Sequence, residues 1–218
     1  PYTTLFRSDR AERRQADYDD PSPQLGSPII HRPYGIAMSL AATSLLLLLL
    51  GGLQAGVAWA QATVLDNGTI RVGVDFLRGG AISQLGQSGT TASVVNIRDL
   101  GRYIQQSYYS GPDPYVPDGA TQHPAYAGWG WNPVQAGDVY GYRSTVLEAS
   151  NDGTTLHTRS IPQQWALRNV AAACTLDTWI TLDANRVHVR CRLTNARSDT
   201  TRYAARHQEL PAVYTVGT

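Results

Sequence analysis

Between Asn96 and Asp138 the chain reads NIRDLGRYIQQSYYSGPDPYVPDGATQHPAYAGWGWNPVQAGD, a stretch dense in groups capable of recognition chemistry. Tyr108, Tyr109, Tyr115, Tyr126, Trp129 and Trp131 supply flat aromatic faces. Arg102, Gln105, Gln106, His123, Asn132, Gln135 and Asp138 supply planar or forked hydrogen-bonding groups. A sugar ring needs that pairing, because its C–H face packs on an aromatic ring while its hydroxyls require amide, guanidinium and carboxylate partners. The stretch points to a glycan and names no reaction.

A second set lies in ARHQELP near the end of the chain. In an extended strand His207 and Glu209 share one face, and a histidine oriented by a carboxylate titrates near neutral pH, so the pair could act as acid or base. The candidate set is His207 and Glu209 as catalytic groups, with Arg102, Gln106, Tyr108, His123, Trp129, Trp131, Asn132, Gln135 and Asp138 as substrate contacts. Several have a plainer alternative. The aromatic residues could cap an open sheet end, Arg102 could pair with Asp99, and Asp138 after Gly137 could be a turn residue. His207 and Glu209 could form a surface ion pair beside Arg206. Asp113 and Asp118 with Gly119 give a weak hint of a calcium loop, and ordinary turn chemistry explains them. The sequence has no zinc spacing, phosphate loop or GxSxG elbow, and no metal or cofactor is expected.

The elements that must position these groups read as strands. Ile70, Val72, Val74 and Phe76 alternate with Arg71, Gly73 and Asp75, the period of a half-buried strand, and Gly79-Gly80 marks a turn. Short strands are expected at 81–85 and 93–96. The run 102–109 is ambiguous by period and is read as a strand with Arg102, Ile104, Gln106 and Tyr108 on one face. From 111 to 137 the chain is rich in proline and glycine without a period, a connection of the length that is usually functional or disordered; its aromatic content favours function. Strands are expected again at 142–149, 154–161, 174–182, 186–195 and 201–216, with turns at Asn151-Asp152-Gly153 and Asp183-Ala184-Asn185. With no long amphipathic helix, the fold expected is an all-β antiparallel β-sandwich.

The hairpin TLDTWITL-DA-NRVHVRCRL also sets the cysteine question. A turn at Ala184-Asn185 places Leu182 opposite Val187, Ile180 opposite Val189, Leu176 opposite Leu193 and Asp177 opposite Arg192, a favourable cross-strand pair. Cys191 then faces Thr178, and Cys174 lies four residues further along; at ~3.3 Å per residue the offset is roughly 13 Å, beyond disulfide reach. Two buried free thiols are expected.

The formal net charge of +1 gives no basic surface for nucleic acid or acidic lipid. Every basic residue is arginine, and the 12 Tyr and 5 Trp against 2 Phe favour amphipathic aromatics of the kind found at binding surfaces. The first eight residues, PYTTLFRS, resemble a translated sequencing adapter, and residues 1–37 are read as adapter-derived or as an untranslated or disordered leader. Residues 38–60, with leucine throughout 45–50 and Ala58-Trp59-Ala60 before Gln61, read as a secretory signal cleaved after Ala60. An uncleaved anchor is the alternative, although the apolar run is short for a bilayer. The expectation is a secreted or periplasmic protein that meets a membrane only during export. Residues 61–218 form one domain of roughly 160 residues, enough for a real core. Because the last residues are an apolar β-like run, that domain is expected to be incomplete at its C-terminus.

The strand RVGVDFLRGGAISQL, the following VVNIRDLGRYIQ, and LDTWITLDANRVHVRCRLTNARSD leading into RYAARHQELPAVY resemble the galactose mutarotase-like β-supersandwich. That architecture occurs in aldose epimerases and as a domain of polysaccharide lyases and glycoside hydrolases. The resemblance implies a sugar-binding arginine at Arg102 and an acid-side histidine at His207. The segment ARHQELP departs from the asparagine-rich strand of true epimerases. The functional expectation is a carbohydrate-binding or carbohydrate-processing protein whose partner is an oligo- or polysaccharide; the alternative is a non-catalytic sandwich module appended to another domain.

Overall fold

The structure is a computed structural model that describes residues 62–216. The expected leader and signal segment lie outside the described residues. Among the described residues no helix is long and apolar enough to cross a membrane.

Among the described residues eleven strands follow in chain order: β1 (Ala62–Asp66), β2 (Ile70–Asp75), β3 (Ala81–Gln87), β4 (Ile104–Ser107), β5 (Pro133–Val134), β6 (Thr145–Asn151), β7 (Thr155–Ile161), β8 (Gln163–Gln164), β9 (Cys174–Asp183), β10 (Arg186–Asn195) and β11 (Glu209–Val213). They form two antiparallel sheets. The larger runs β1-β2-β3-β4-β5-β8 with β11 also paired to β4, and the smaller runs β10-β9-β7-β6. The fold is therefore all-β and sandwich-like, as the strand periodicity predicts.

Between the sheets lies a core of Leu65, Val72, Val74, Ile82, Ile104, Leu156 and Ile180, contributed by six strands. Alternation produces it: Val72 and Val74 turn inward from β2, Leu156 from β7 and Ile180 from β9. The double glycine lets the two sheets approach. Gly79 and Gly80 have φ of +62° and +78°, and a Cβ on Gly80 would lie 2.5 Å from Thr158 Oγ1 on the facing sheet. Asp75 starts this corner by accepting a hydrogen bond from the Leu77 N–H in a 3₁₀ turn, Phe76–Arg78.

The β9–β10 register is the one read from sequence: Leu182 faces Val187, Ile180 faces Val189, Leu176 faces Leu193, Asp177 faces Arg192 and Cys191 faces Thr178. Both cysteines are free, Cys174 buried and Cys191 half-buried.

Three expectations need correction. The strand expected over 102–109 is only β4, because Tyr103 adopts φ +69° and bends the chain, leaving Arg102 outside the ladder. The strand expected over 201–216 is only β11; residues 201–208 are irregular and exposed, so His207 and Glu209 do not alternate along one strand. The segment 93–96 contributes a single bridge, Val95 to Thr215, in place of a strand.

Candidate functional site

After β4 the chain leaves the larger sheet and doubles back on itself. Ser110 N–H donates to Trp131 O, Trp131 N–H to Pro112 O, and Tyr115 N–H to Trp129 O, so 108–115 and 129–133 pair as an irregular ribbon. The segment 197–208 is tied across this ribbon. The Gln208 amide acts as a strand partner, its Oε1 accepting from Tyr109 N–H at 2.7 Å and its Nε2 donating to Tyr109 O at 2.8 Å. Arg206 Nη2 lies 2.7 Å from Asp113 Oδ2. Arg197 donates to Gly111 O, to Asp199 Oδ2 and to the Tyr203 hydroxyl. Position 111 must be glycine here, since a Cβ would meet the Tyr203 ring at 2.0 Å.

Two adjoining concavities result. One, of about 280 Å³, is lined by Trp129, Asn132, Asp113 and Arg206; the other, of about 350 Å³, by Tyr108, Asn195, Arg197, Asp199, Tyr203 and Gln208. Tyr109, Ser110 and Trp131 line both and form the ridge between them. Each concavity therefore carries aromatic faces and one arginine–carboxylate pair. Trp131 is rigid: its ring packs on Ala172, Cys174 and Leu176, and the Arg197 guanidinium lies 5.6 Å from its centroid. Its indole N–H is buried without a hydrogen-bond acceptor. Both arginine–aspartate pairs keep solvent-facing atoms, so they hold geometry more than they add stability.

The hydroxyl end of Tyr109 meets Ser107 and Glu209. Burial, reinforced by the Glu209 charge, pushes the Tyr109 phenol up to about 12. Burial and Glu209 also raise Tyr214, against the pull of Arg102.

The structure brings together Tyr108, Trp129, Trp131 and Asn132 from the sequence-derived set. Asn132 is buried, with Nδ2 donating to Tyr108 O at 2.7 Å. The others lie elsewhere. Gln106 is 1% exposed and bridges the sheets: its Nε2 donates to Asp177 O and Thr178 Oγ1, both at 2.7 Å, and its Oε1 accepts from the Tyr108 hydroxyl. Gln135 is equally buried, accepting from Gln106 N–H and donating to Gly79 O. Asp138 organises a loop by accepting N–H groups of Tyr140, Tyr142 and Asn169; its burial raises the carboxyl pKa while those donors oppose the rise. His123 caps the 3₁₀ turn Pro124–Tyr126 and packs edge-on against Tyr140. Arg102 pairs with Asp99 at 3.5 Å and covers the Tyr214 ring, outside both concavities. His207 is exposed, with no hydrogen bond or ion pair to Glu209. Asp113, one of the two carboxylates considered for calcium, is instead paired with Arg206.

Sequence reasoning missed Arg197, Asp199, Tyr203, Arg206 and Gln208. Their signal is faint, a polar stretch following a long hairpin, and only the folded chain carries it some 90 residues back to Tyr109. Among the described residues no group of three or more His, Cys, Asp or Glu side chains could hold a metal ion. No protein-family model, curated protein or solved structure matches this chain.

Proposed function

We propose that the chain is a secreted carbohydrate-binding or carbohydrate-processing protein that holds a glycan in the two-lobed cleft beneath the 197–208 segment. The observation that carries this reading is the shared Tyr109–Trp131 ridge between two concavities, each furnished with a guanidinium and a carboxylate. Adjacent pockets with a common aromatic wall suit consecutive units of an oligosaccharide, one per lobe, and arginine–aspartate pairs can both donate to and accept from vicinal hydroxyls. The galactose mutarotase-like kinship and export through the 38–60 segment belong to the same proposal.

Binding without turnover is the rival reading, as in a module appended to another domain. It draws support from His207, which lacks the carboxylate that would orient it. The test is titration of the protein against a panel of plant and algal oligosaccharides, with turnover followed in parallel. Trp129→Ala and Arg206→Gln should each weaken binding about tenfold, the scale of one lost stacking or charge-assisted contact. Absence of binding to any glycan sinks both readings, whereas binding with no products in the panel selects the module.

A further inference from the structure

The outer face of the smaller sheet carries a separate concavity of about 520 Å³, lined by Thr155, Trp179, Thr181, His188 and Arg190 together with two valines of β10. Cross-strand register assembles it. On either side of Trp179 in β9 stand His157 of β7 and Arg190 of β10, and Thr181 is flanked in the same way by Thr155 and His188. The His157 ring stacks on the indole at 4.8 Å and 16°, and the Arg190 guanidinium lies 4.1 Å from the indole centroid.

Charge on this face is unequally satisfied. Asp177, fully buried beside the tryptophan, accepts from His157, Arg159 and Arg192, and Arg159 also pairs with Glu148, so both arginines have a carboxylate partner. His188 lies 3.9 Å from Asp183 at the turn. Arg190 has no carboxylate or carbonyl partner among the described residues; its guanidinium lies over the Trp179 ring, which Arg192 also approaches at 5.0 Å, and its N–H groups are left for a ligand. The threonine hydroxyls are likewise without protein partners. The lining contains no carboxylate and no amide, in contrast to the cleft with Asp113, Asn132, Asp199 and Gln208. A lining built this way suits a group that only accepts hydrogen bonds, and a pinned guanidinium fork matches a planar carboxylate.

We infer that this face is a second binding site, for the carboxylate of an acidic saccharide unit. Arg190 takes the carboxylate in a forked contact, while Thr155, Thr181 and His188 hydrogen-bond the neighbouring ring oxygens. The open sheet face has no end walls, so a polymer can lie across it. The choice of a saccharide as the carrier of the carboxylate rests on the proposed function, but the site shares no residue with either lobe of the cleft.

The test is calorimetric titration of the full chain with trigalacturonate and with a neutral galactose trisaccharide at low ionic strength, where an exposed charge contact is least screened. The expected result is preference for the uronate, weakened about tenfold or more in Arg190→Gln and unchanged in Arg143→Gln, an exposed arginine that lines neither lobe of the cleft nor this face, with both variants melting at the wild-type temperature. Equal binding of the neutral trisaccharide, or full uronate affinity in Arg190→Gln, overturns the proposal. So does a uronate signal lost only in Arg206→Gln, which would put binding in the cleft. If sedimentation shows self-association that Arg190→Gln abolishes, and no uronate binding accompanies it, the face belongs to a second copy and the proposal fails.

Discussion

Replacing Gln106 with methionine asks whether this amide serves the ligand or the fold. Methionine keeps the length and most of the volume, so the perturbation is confined to hydrogen bonding. Two donations from Nε2, to Asp177 O and Thr178 Oγ1, disappear, as does the bond that Oε1 accepts from Tyr108. Thr178 keeps Gln135 Nε2 at 3.2 Å, and half-buried Tyr108 can turn to water, but Asp177 O loses this partner inside the sandwich. Counting ~1 kcal/mol for the net loss of each Nε2 bond and under ~1 for the tyrosine gives up to ~3 kcal/mol. For a domain of this size, that lowers Tm by roughly 6–12 °C. The assay pairs thermal unfolding with oligosaccharide titration, and affinity per folded molecule should fall far less than in Trp129→Ala. Weakened glycan binding at unchanged Tm would refute this reasoning and return Gln106 to the ligand.

Two further outcomes follow from buried groups. Burial alone would raise the Asp177 carboxyl, but donation from His157, Arg192 and Arg159 outweighs it and holds the pKa below the usual value. Its stabilising contribution is therefore complete above the unfolded value of ~3.9 and is lost as pH falls through the lower folded one; urea midpoints should drop in that acid window, and Asp177→Asn should be less stable at neutral pH and lack that drop. An Asp177→Asn protein with the full acid loss would place its origin elsewhere. Burial pushes the Cys174 thiol up to about 12 and the Cys191 thiol to about 11. Ellman's reagent at pH ~8 should thus react slowly with the native protein and titrate both thiols in urea, whereas a disulfide detected by mass would contradict the β9–β10 register.

The fold was legible wherever short-range pattern and tertiary structure asked for the same thing. In β9–β10, alternating apolar residues meet across a short polar turn, so register follows from counting outward from Ala184-Asn185. The run 102–109 shows the opposite case. Its alternation suits a strand as well as a helix stripe, and the bend at Tyr103 is imposed by packing with Leu100, Ala81 and Ala136. Trp129 and Trp131 could be placed in the candidate site because large amphipathic rings in a proline-rich loop need a folded partner. Gln106 and Gln135 misled for a physical reason: an amide beside aromatics can serve a ligand or a facing backbone, and sequence does not say which.

The sequence by itself determined the all-β class, the hairpin register and the unpaired cysteines, since each depends on period and turn chemistry within a few dozen residues. Only the tertiary structure decided which polar side chains face outward into a concavity and which are consumed between the sheets. Gln208 meets Tyr109, and Arg206 meets Asp113, across some 90 residues of intervening chain. Such meetings follow from the antiparallel pairing of β11 with β4 inside the larger sheet, a long-range outcome that no local pattern of residue types encodes.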